Sequence, residues 1–346
     1  PHKAARTMGR VAQLATVATT LAIRDAGLGS DELTDGTIGL AYGSTHGSSH
    51  ANEEWVRKLI AQNSFLGMTS TTYLKFMSHT TAANLATHFG IRGRVLCTSA
   101  ACVSATQAIG HGFETIAAGH ADVMVCGGAE ELHFSHAAVF DMLHAASKAF
   151  NATPELTPRP FDQRRDGLVV GEGAGTIVLE DYERAKRLGK KIYAEITGFG
   201  TNCDGTHVTN PSSDGMRGAM ALALRSAGVG PEAIDYVNAH ATGTSIGDIA
   251  ESQATYALFG DRVPVSSLKG HLGHTLGACG GIELALTIAM LREGWIAPTR
   301  NLEVVGEHCA PLDYVMGEAR IAKLARVMCN KFAFGGINTS LVISAV

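Results

Sequence analysis

Two stretches of this sequence follow one plan: a short apolar strand, a turn of small residues and an apolar helix. VLCTS at 95–99 leads into an Ala-rich helix at about 102–118, and VPVSS at 263–267 leads through a Gly-rich turn into a helix at 277–291. A repeated supersecondary unit indicates a duplicated fold. We therefore expect two similar halves, 1–187 and 188–346.

The rest of the chain alternates strand and helix patterns, which predicts α/β layers. Further strands are expected at 38–42, 122–126, 176–180, 192–197, 236–240 and near 327–330 and 340–344. Further helices are expected at 11–26, 52–62, 80–90, 182–188, 215–227 and 248–259.

The composition excludes several function classes. Hydrophobic residues make up 45% of the 346 positions and charged residues 17%, as in a globular protein with a large core. A formal net charge of −4 without a run of Lys or Arg argues against nucleic acid as the main ligand. No apolar run reaches the length of a membrane span, so we expect no membrane insertion.

Cysteine usage points to reduced thiols. The seven cysteines form no CxxC pair, and several lie in apolar stretches such as VMVC at 123–126. This pattern argues against a disulfide framework and against a structural zinc site. It favours a reducing, cytoplasmic setting.

Cys102 is the candidate nucleophile. It lies at the predicted N-terminus of a helix directly after a strand, where the helix dipole favours the thiolate and the sharp turn lifts the side chain out of the sheet. The alternative is a buried structural cysteine. The small residues of TSAA before it leave room for a substrate and favour the nucleophile.

Two histidine motifs follow predicted strands. His240 lies in NAHATGT, where Thr242 and Thr244 supply hydroxyl groups at the end of a strand, although it could be an ordinary loop histidine. His271 and His274 both lie in KGHLGHTLGACGG, and spacing alone does not choose between them. A metal site is the weaker interpretation, because this turn has no carboxylate and no HExxH spacing occurs.

Two further features have alternative interpretations. Lys269 is either a solvated charge or a buried partner of Glu251 that sets local pKa values. In NKFAFGGINTS at 330–340, the glycines predict a tight turn beside a cavity, with Phe332 or Phe334 at an apolar tunnel; the alternative is two core aromatics.

A thiol and two histidines are suited to acyl transfer followed by carbanion chemistry. The thiolate accepts an acyl group from a thioester, and imidazole N–H groups stabilise the enolate that a second thioester forms when it loses CO2. A cysteine protease also needs cysteine and histidine, but it does not explain two Gly-flanked histidines that each follow a strand.

The ordered motifs resemble those of the β-ketoacyl-acyl carrier protein synthases, types I and II and closest to type II, within the thiolase superfamily. They are TSAACVSA, GGAE, RPFDQRRDGLVVGEGAG, NAHATGTSIGD, KGHLGHTLGACGG and NKFAFGGIN. The resemblance implies a thiolase-like α/β fold, with duplicated halves in a five-layer αβαβα arrangement, and a homodimer. It also implies acyl carrier protein as partner, malonyl and acyl thioesters as substrates, and no cofactor besides the phosphopantetheine on that partner.

Roles are carried over position by position from the resemblance. Cys102 resembles the acylated nucleophile, and His240 and His274 resemble the two histidines of the triad, which selects His274 over His271. Lys269 and Glu251 match a lysine of the family and its acidic partner. Phe334 matches the gate and, with Cys102, the oxyanion hole, and Thr242 and Thr244 match the pair that binds pantetheine. Asn238, Glu283 and Asn330 match a structural monovalent cation site of some relatives.

Three departures from the family pattern stand out. Ala333 and Ile337 replace a usual Gly and Thr, which is expected to stiffen the gating loop or narrow the tunnel, and Ala241 replaces a common glycine. Members of the family also begin about sixty residues earlier, with a strand and a helix that are either disordered or absent here. If they are absent, the first sheet is expected to lack an inner strand and to be less stable.

The expected activity is a decarboxylative condensation that lengthens a fatty acyl chain. Two alternatives remain: a stand-alone ketosynthase of a polyketide or specialised lipid pathway, and a non-catalytic partner subunit. The second is disfavoured because Cys102 and both histidines are present.

Overall fold

The computed structural model describes residues 4–346 and divides into two compact units. The first holds the described residues up to Ser135 together with 172–191 and 276–282, and the second holds 136–171, 192–275 and 283–346. The predicted boundary at 187 is close to the main division. The units are not consecutive halves, however. Residues 136–171 belong to the second unit, and residues 276–282 belong to the first.

The first unit contains a four-stranded sheet in the order β2–β1–β3–β4. Strand β1 is parallel to β2 and β3, and β4 is antiparallel to β3. The strands are β1 (Ile38–Gly43), β2 (Val95–Thr98), β3 (Val123–Glu130) and β4 (Gly173–Glu180).

Helices of the first unit follow the expected apolar spacing. In α1 the residues Val11, Ala15 and Ile23 are buried, and Gly27 follows its end with a positive φ of 62°. The helices are α1 (Arg10–Asp25), α2 (Ser30–Thr34), α3 (Ser49–Gln62), α4 (Ser70–Phe76), α5 (Thr80–Phe89), α6 (Ser104–Ala117), α7 (Phe134–Met142), which ends in the second unit, and α8 (Tyr182–Arg187).

The second unit contains a six-stranded sheet in the order β5–β12–β11–β6–β7–β9 and a small pair of β8 with β10. The strands are β5 (Glu195–Cys203), β6 (Tyr236–Asn238), β7 (Pro264–Ser266), β8 (Trp295–Ile296), β9 (Asp313–Tyr314), β10 (Arg320–Ile321), β11 (Arg326–Ala333) and β12 (Ile337–Ser344). The helices are α9 (Ser213–Ala227), α10 (Ser245–Phe259), α11 (Lys269–Leu272) and α12 (Cys279–Glu293), which begins in residues of the first unit.

The predicted duplication is confirmed by strand order. In the second unit β6 is parallel to β7 and β11, and β12 is antiparallel to β11, which repeats the arrangement of β1 with β2, β3 and β4. Strand β2 with α6 and strand β7 with α12 are therefore equivalent, as the two related sequence stretches predicted. The stacking of the sheets into five layers stays a prediction.

The expected loss of an inner strand is wrong. Strands β1 to β4 pair without interruption, and in the second unit β5, which precedes the repeat, is an edge strand beside β12. A counterpart of β5 in the first unit would therefore lie at the edge, next to β4.

Several strands differ in length from the sequence prediction because glycine-containing segments also pair. Strand β3 continues past Cys126 through Gly127 and Gly128 to Glu130, opposite the glycines of β4. Strand β5 starts later than predicted and extends to Cys203 against β12. Helices α2, α4, α7 and α11 and strands β8, β9 and β10 were not predicted, since they are short or have weak apolar spacing. Within residues 4–346, no helix combines the length and hydrophobicity that a membrane span requires.

A close backbone approach places the turn at 276–278 on the sheet of the first unit. A Cβ atom added to Gly175 would overlap the carbonyl carbon of Gly281, and one added to Gly128 would lie 2.7 Å from the carbonyl oxygen of Gly277. Only glycine fits at such contacts, because the neighbouring atoms are backbone and cannot rotate away.

We predict that Gly175→Ala lowers the free energy of unfolding by about 1–3 kcal/mol, the usual cost of overpacking. The matched control is Gly173→Ala in the same strand, whose Cβ would meet only the tip of the Ile282 side chain. Denaturant unfolding of both variants is the measurement. Equal stability of the two would contradict the close approach.

Candidate active site

Cys102 lies in a short 3-10 turn, Ala101–Val103, between β2 and α6. Ala101 has a φ of +47°, a left-handed conformation that is strained for a residue with a Cβ atom. The hydroxyl of Ser104 fixes this turn, because its Oγ accepts from the Ala100 N–H at 2.9 Å and donates to the Ala101 carbonyl at 2.7 Å. The predicted sharp strand-to-helix turn is thus present, although the regular helix begins two residues later than predicted.

Cys279 contacts Cys102, and Glu130 contacts the turn at 276–278; sequence reasoning assigned neither residue a role. The Cys279 thiol donates to the main-chain carbonyl oxygen of Cys102 at 3.3 Å. One carboxylate oxygen of Glu130 accepts the N–H groups of Thr45 at 2.9 Å and Gly277 at 3.1 Å. Burial raises the pKa of Glu130 to about 7, against the opposing effect of these hydrogen bonds. The motif GGAE contained the signal, but nothing in its spacing identified the partners.

His240 follows β6 in a loop whose main chain is hydrogen-bonded to Glu251. The two carboxylate oxygens of Glu251 accept the main-chain N–H groups of His240 at 2.8 Å and Ala241 at 2.6 Å. Burial raises the pKa of Glu251 to about 7, while these two N–H groups act in the opposite direction. Glu251 therefore positions the histidine loop through its backbone.

Asp248, one turn earlier on α10, holds the next part of the same loop and was missed by sequence reasoning. Its carboxylate accepts the main-chain N–H groups of Thr242 at 3.1 Å, Gly243 at 3.2 Å and Phe161 at 2.7 Å. Burial raises its pKa to about 6. The hydroxyls of Thr242 and Thr244 lie 3.1 Å apart, so the predicted pair is together on this loop.

His274 is fixed by its backbone and faces His240. Its N–H donates to the Val169 carbonyl at 2.7 Å, and its own carbonyl accepts from Gly171 at 2.9 Å. The ring centroids of His240 and His274 are 5.2 Å apart at an angle of 86°. His271 is exposed, and its Nε2 lies 2.9 Å from the Pro298 carbonyl, so the histidine selected by the resemblance is the one beside His240.

The surroundings of both imidazoles favour the uncharged form. Burial is the largest effect that lowers the pKa of His240 and of His274 well below the usual 6.5, and the positive charges of Lys269 and Lys331 lower both further. Nδ1 of His240 is buried and has no hydrogen-bond partner within residues 4–346. A buried, neutral imidazole with an unused nitrogen can bind an oxygen atom of a substrate.

Lys269 forms its salt bridge with Glu283 rather than with the expected Glu251, although, against the larger effect of burial, the charge of Lys269 does lower the pKa of Glu251. Lys269 Nζ forms its salt bridge with Glu283 Oε1 at 2.6 Å, and both groups are buried. The reason is that Glu251 uses both oxygens for the histidine loop, whereas Glu283 extends from α12 towards α11.

The expected monovalent cation site is also wrong. The ammonium group of Lys331 contacts Asn238 Oδ1 at 2.8 Å, the Asn330 carbonyl at 2.8 Å and Glu283 Oε2 at 3.0 Å. The side-chain oxygen of Asn330 accepts a hydrogen bond from Ser340 at 2.7 Å. The oxygens that were expected to hold a metal ion do not fit one, because a lysine already contacts them.

The aromatic residues of NKFAFGGIN lie where β11 turns into β12. The ring centroids of Phe332 and His240 are 6.1 Å apart, and those of Phe334 and Phe140 are 5.6 Å apart. Ala333 and Ile337, the two departures from the family pattern, are cross-strand partners next to this turn. The oxyanion hole of Cys102 and Phe334 and the gating role of Phe334 stay predictions.

Comparison with known proteins identifies the family. The N-terminal domain of the beta-ketoacyl synthases matches residues 1–185, and the C-terminal domain of the same family matches residues 193–303. The 3-oxoacyl-[acyl-carrier-protein] synthase 1 of Haemophilus influenzae is 38% identical over 348 aligned residues, which cover 99% of this chain and 84% of that protein.

Solved structures agree. A beta-ketoacyl synthase from Burkholderia phymatum is 52% identical, with a TM-score of 0.97 over 100% of this chain and 85% of that one. A type II polyketide ketosynthase, solved in complex with its acyl-carrier protein and bound to the hexaketide, is 28% identical with a TM-score of 0.91 over 97% of this chain and 85% of that one. The thiolase-like fold predicted from the motifs is confirmed, and the chain belongs to the beta-ketoacyl synthase family.

Proposed function

We propose that the protein condenses an acyl group with malonyl-acyl carrier protein, with loss of CO2, to give 3-oxoacyl-acyl carrier protein in fatty-acid chain elongation. The observation that carries this proposal is the buried His240–His274 pair in a chain of this family. Two neutral imidazoles in a desolvated setting are suited to stabilise an enolate oxygen as preorganised hydrogen-bond donors.

The first step is acyl transfer to Cys102. Its thiolate attacks the acyl thioester carbon, an S–C bond forms, and the phosphopantetheine thiol of acyl carrier protein leaves. The strained turn at Ala101 and the Ser104 hydrogen bonds support this role, since they fix the cysteine between β2 and α6. We assign the oxyanion hole for this step to the N–H groups of Cys102 and Phe334.

The second step is decarboxylation and carbon–carbon bond formation. Malonyl-acyl carrier protein loses CO2, and the electron pair of the broken bond forms an enolate whose oxygen binds His240 and His274. The enolate carbon then attacks the acyl group on Cys102 and the cysteine thiolate leaves. The product is two carbons longer than the acyl group.

Contacts inside each unit support a shared role for Cys102 and the two histidines. Cys279, in the first turn of α12, donates to the Cys102 carbonyl, while Glu283 in the next turn pairs with Lys269. In the sequence, His274 precedes Cys279 by a short Gly-containing segment.

Substrate delivery and assembly complete the proposal. Thr242 and Thr244 bind the phosphopantetheine arm, Phe332 lines the acyl site, and acyl carrier protein is the partner. The enzyme uses no cofactor of its own, acts as a homodimer and works in the cytoplasm, where its nucleophilic thiol remains reduced. Identity to the Haemophilus influenzae synthase is higher than to the polyketide ketosynthase, which favours fatty-acid elongation. The retained Cys102, His240 and His274 argue against a non-catalytic subunit.

We predict that Cys102→Ala forms no covalent acyl adduct and loses condensation, because it lacks the nucleophile. The intact mass of the protein after incubation with acyl-acyl carrier proteins of several lengths is the measurement, and it also gives the chain-length preference. Cys97→Ala, which removes an exposed thiol, is the matched control and should retain the adduct. Condensation at the normal rate by Cys102→Ala would refute the assignment.

We predict that His274→Ala abolishes malonyl decarboxylation and leaves Cys102 open to acylation, because the histidine acts on the second substrate. Release of CO2 and the acyl adduct are measured on the same preparation. His271→Ala, three residues away in the same motif, should keep both activities. If acylation alone were lost in His274→Ala, the role given to His274 would be wrong.

A further inference from the structure

Lys331 is a buried lysine whose ammonium group has the surroundings of a bound cation. Its side chain is almost completely buried on β11. Its Nζ lies 2.8 Å from Asn238 Oδ1, 2.8 Å from the Asn330 carbonyl and 3.0 Å from Glu283 Oε2. An amide oxygen, a main-chain carbonyl and a carboxylate are the oxygen types that hard metal ions also prefer.

Lys331 shares its carboxylate with a second lysine. Glu283 Oε1 lies 2.6 Å from Lys269 Nζ, so one buried carboxylate pairs with two buried ammonium groups. Removing an ion from water costs several kcal/mol unless partners compensate, and removing one member of a buried ionic group exposes the others to that cost. Lys331 therefore contacts one carboxylate oxygen of Glu283, while Lys269 contacts the other.

The consequences extend to the histidines. Lys269 opens α11, the helical turn that precedes His274, and Asn238 is the last residue of β6 before the loop of His240. Burial lowers the pKa of both histidines, and the positive charges of the two lysines lower it further. Lys331 thus connects β11 to the two segments from which the histidines extend.

We propose that Lys331 is a built-in cation: its ammonium group takes the place of an alkali-metal ion, holds Asn238 and Glu283 in position, and makes the site independent of such ions. Lys331 is a positioning residue, since it acts through Glu283 and Asn238. The inference rests on geometry within the second unit and does not require the proposed function.

The test compares wild type, Lys331→Ser and Lys331→Met in potassium chloride and in choline chloride at equal ionic strength, which keeps charge screening the same. Thermal unfolding and malonyl decarboxylation are measured in each salt. Lys331→Ser removes the ammonium group and leaves room among three oxygen atoms for K⁺. Lys331→Met retains an apolar side chain of similar length that fills the space, so it is the matched control.

Wild type should unfold at the same temperature and react at the same rate in both salts. In choline, Lys331→Ser should decarboxylate the malonyl substrate at least about tenfold more slowly than wild type, which is the usual effect of removing a residue that supports a site from outside. Its unfolding temperature should also be lower than that of wild type. Potassium should restore both properties of Lys331→Ser in a saturable manner and should restore neither in Lys331→Met.

Three results would overturn the proposal. They are a wild type that needs potassium, a Lys331→Ser variant that is normal in choline, and a Lys331→Ser variant that stays unfolded or inactive in potassium. The unfolding measurement separates this proposal from the proposed function: a protein with no condensing activity but with the expected salt response would contradict only the function.

Discussion

The histidine region depends on the ion pairs that the carboxylate of Glu283 forms with two lysines. This carboxylate lies between Lys269 and Lys331, and all three charged groups are buried. Helix α12 supplies the anion, while α11 and β11 supply the cations. A buried carboxylate between two ammonium groups has few alternative arrangements, because any movement leaves a charge without a partner in a medium of low dielectric constant. This restricts the relative positions of three elements at the edge of the histidine site.

The loops that carry the functional side chains are held mainly by hydrogen bonds to their backbones. On α10, Asp248 and Glu251 accept main-chain N–H groups from consecutive residues of the His240 loop, and Glu130 does the same for the turn at Gly277. These contacts satisfy buried backbone donors that no strand or helix pairs. The anchoring contacts are made to main-chain atoms and do not use the imidazole ring of His240.

Much of this arrangement could be predicted from the sequence, and the reason is local. The strand, small-residue turn and helix around Cys102 are contiguous, as are those around His274, so periodicity and glycine positions were sufficient to identify both turns. The choice of His274 over His271 came from the resemblance, and the structure shows His271 exposed and His274 beside His240.

The partners of buried charges could not be predicted in this way. Lys269 pairs with Glu283 rather than Glu251, and Lys331, which had no assigned role, contacts Asn238 and Glu283. Each pair joins residues on different elements, and periodicity indicates which face of an element is buried but not which charged group it meets. The same limit applies to the residues 136–171 and 276–282, whose contacts are with segments distant in sequence.

We expect His240 and His274 to be neutral, buried imidazoles beside the positive charges of Lys269 and Lys331. NMR titration of their ring signals, assigned with single histidine variants, tests this expectation most directly. Because burial and the lysines lower both pKa values, the folded protein should keep both rings uncharged as the pH falls through the usual imidazole value of 6.5. Protonation should begin only well below that pH. A titration midpoint at or above 6.5 for either ring would contradict this account.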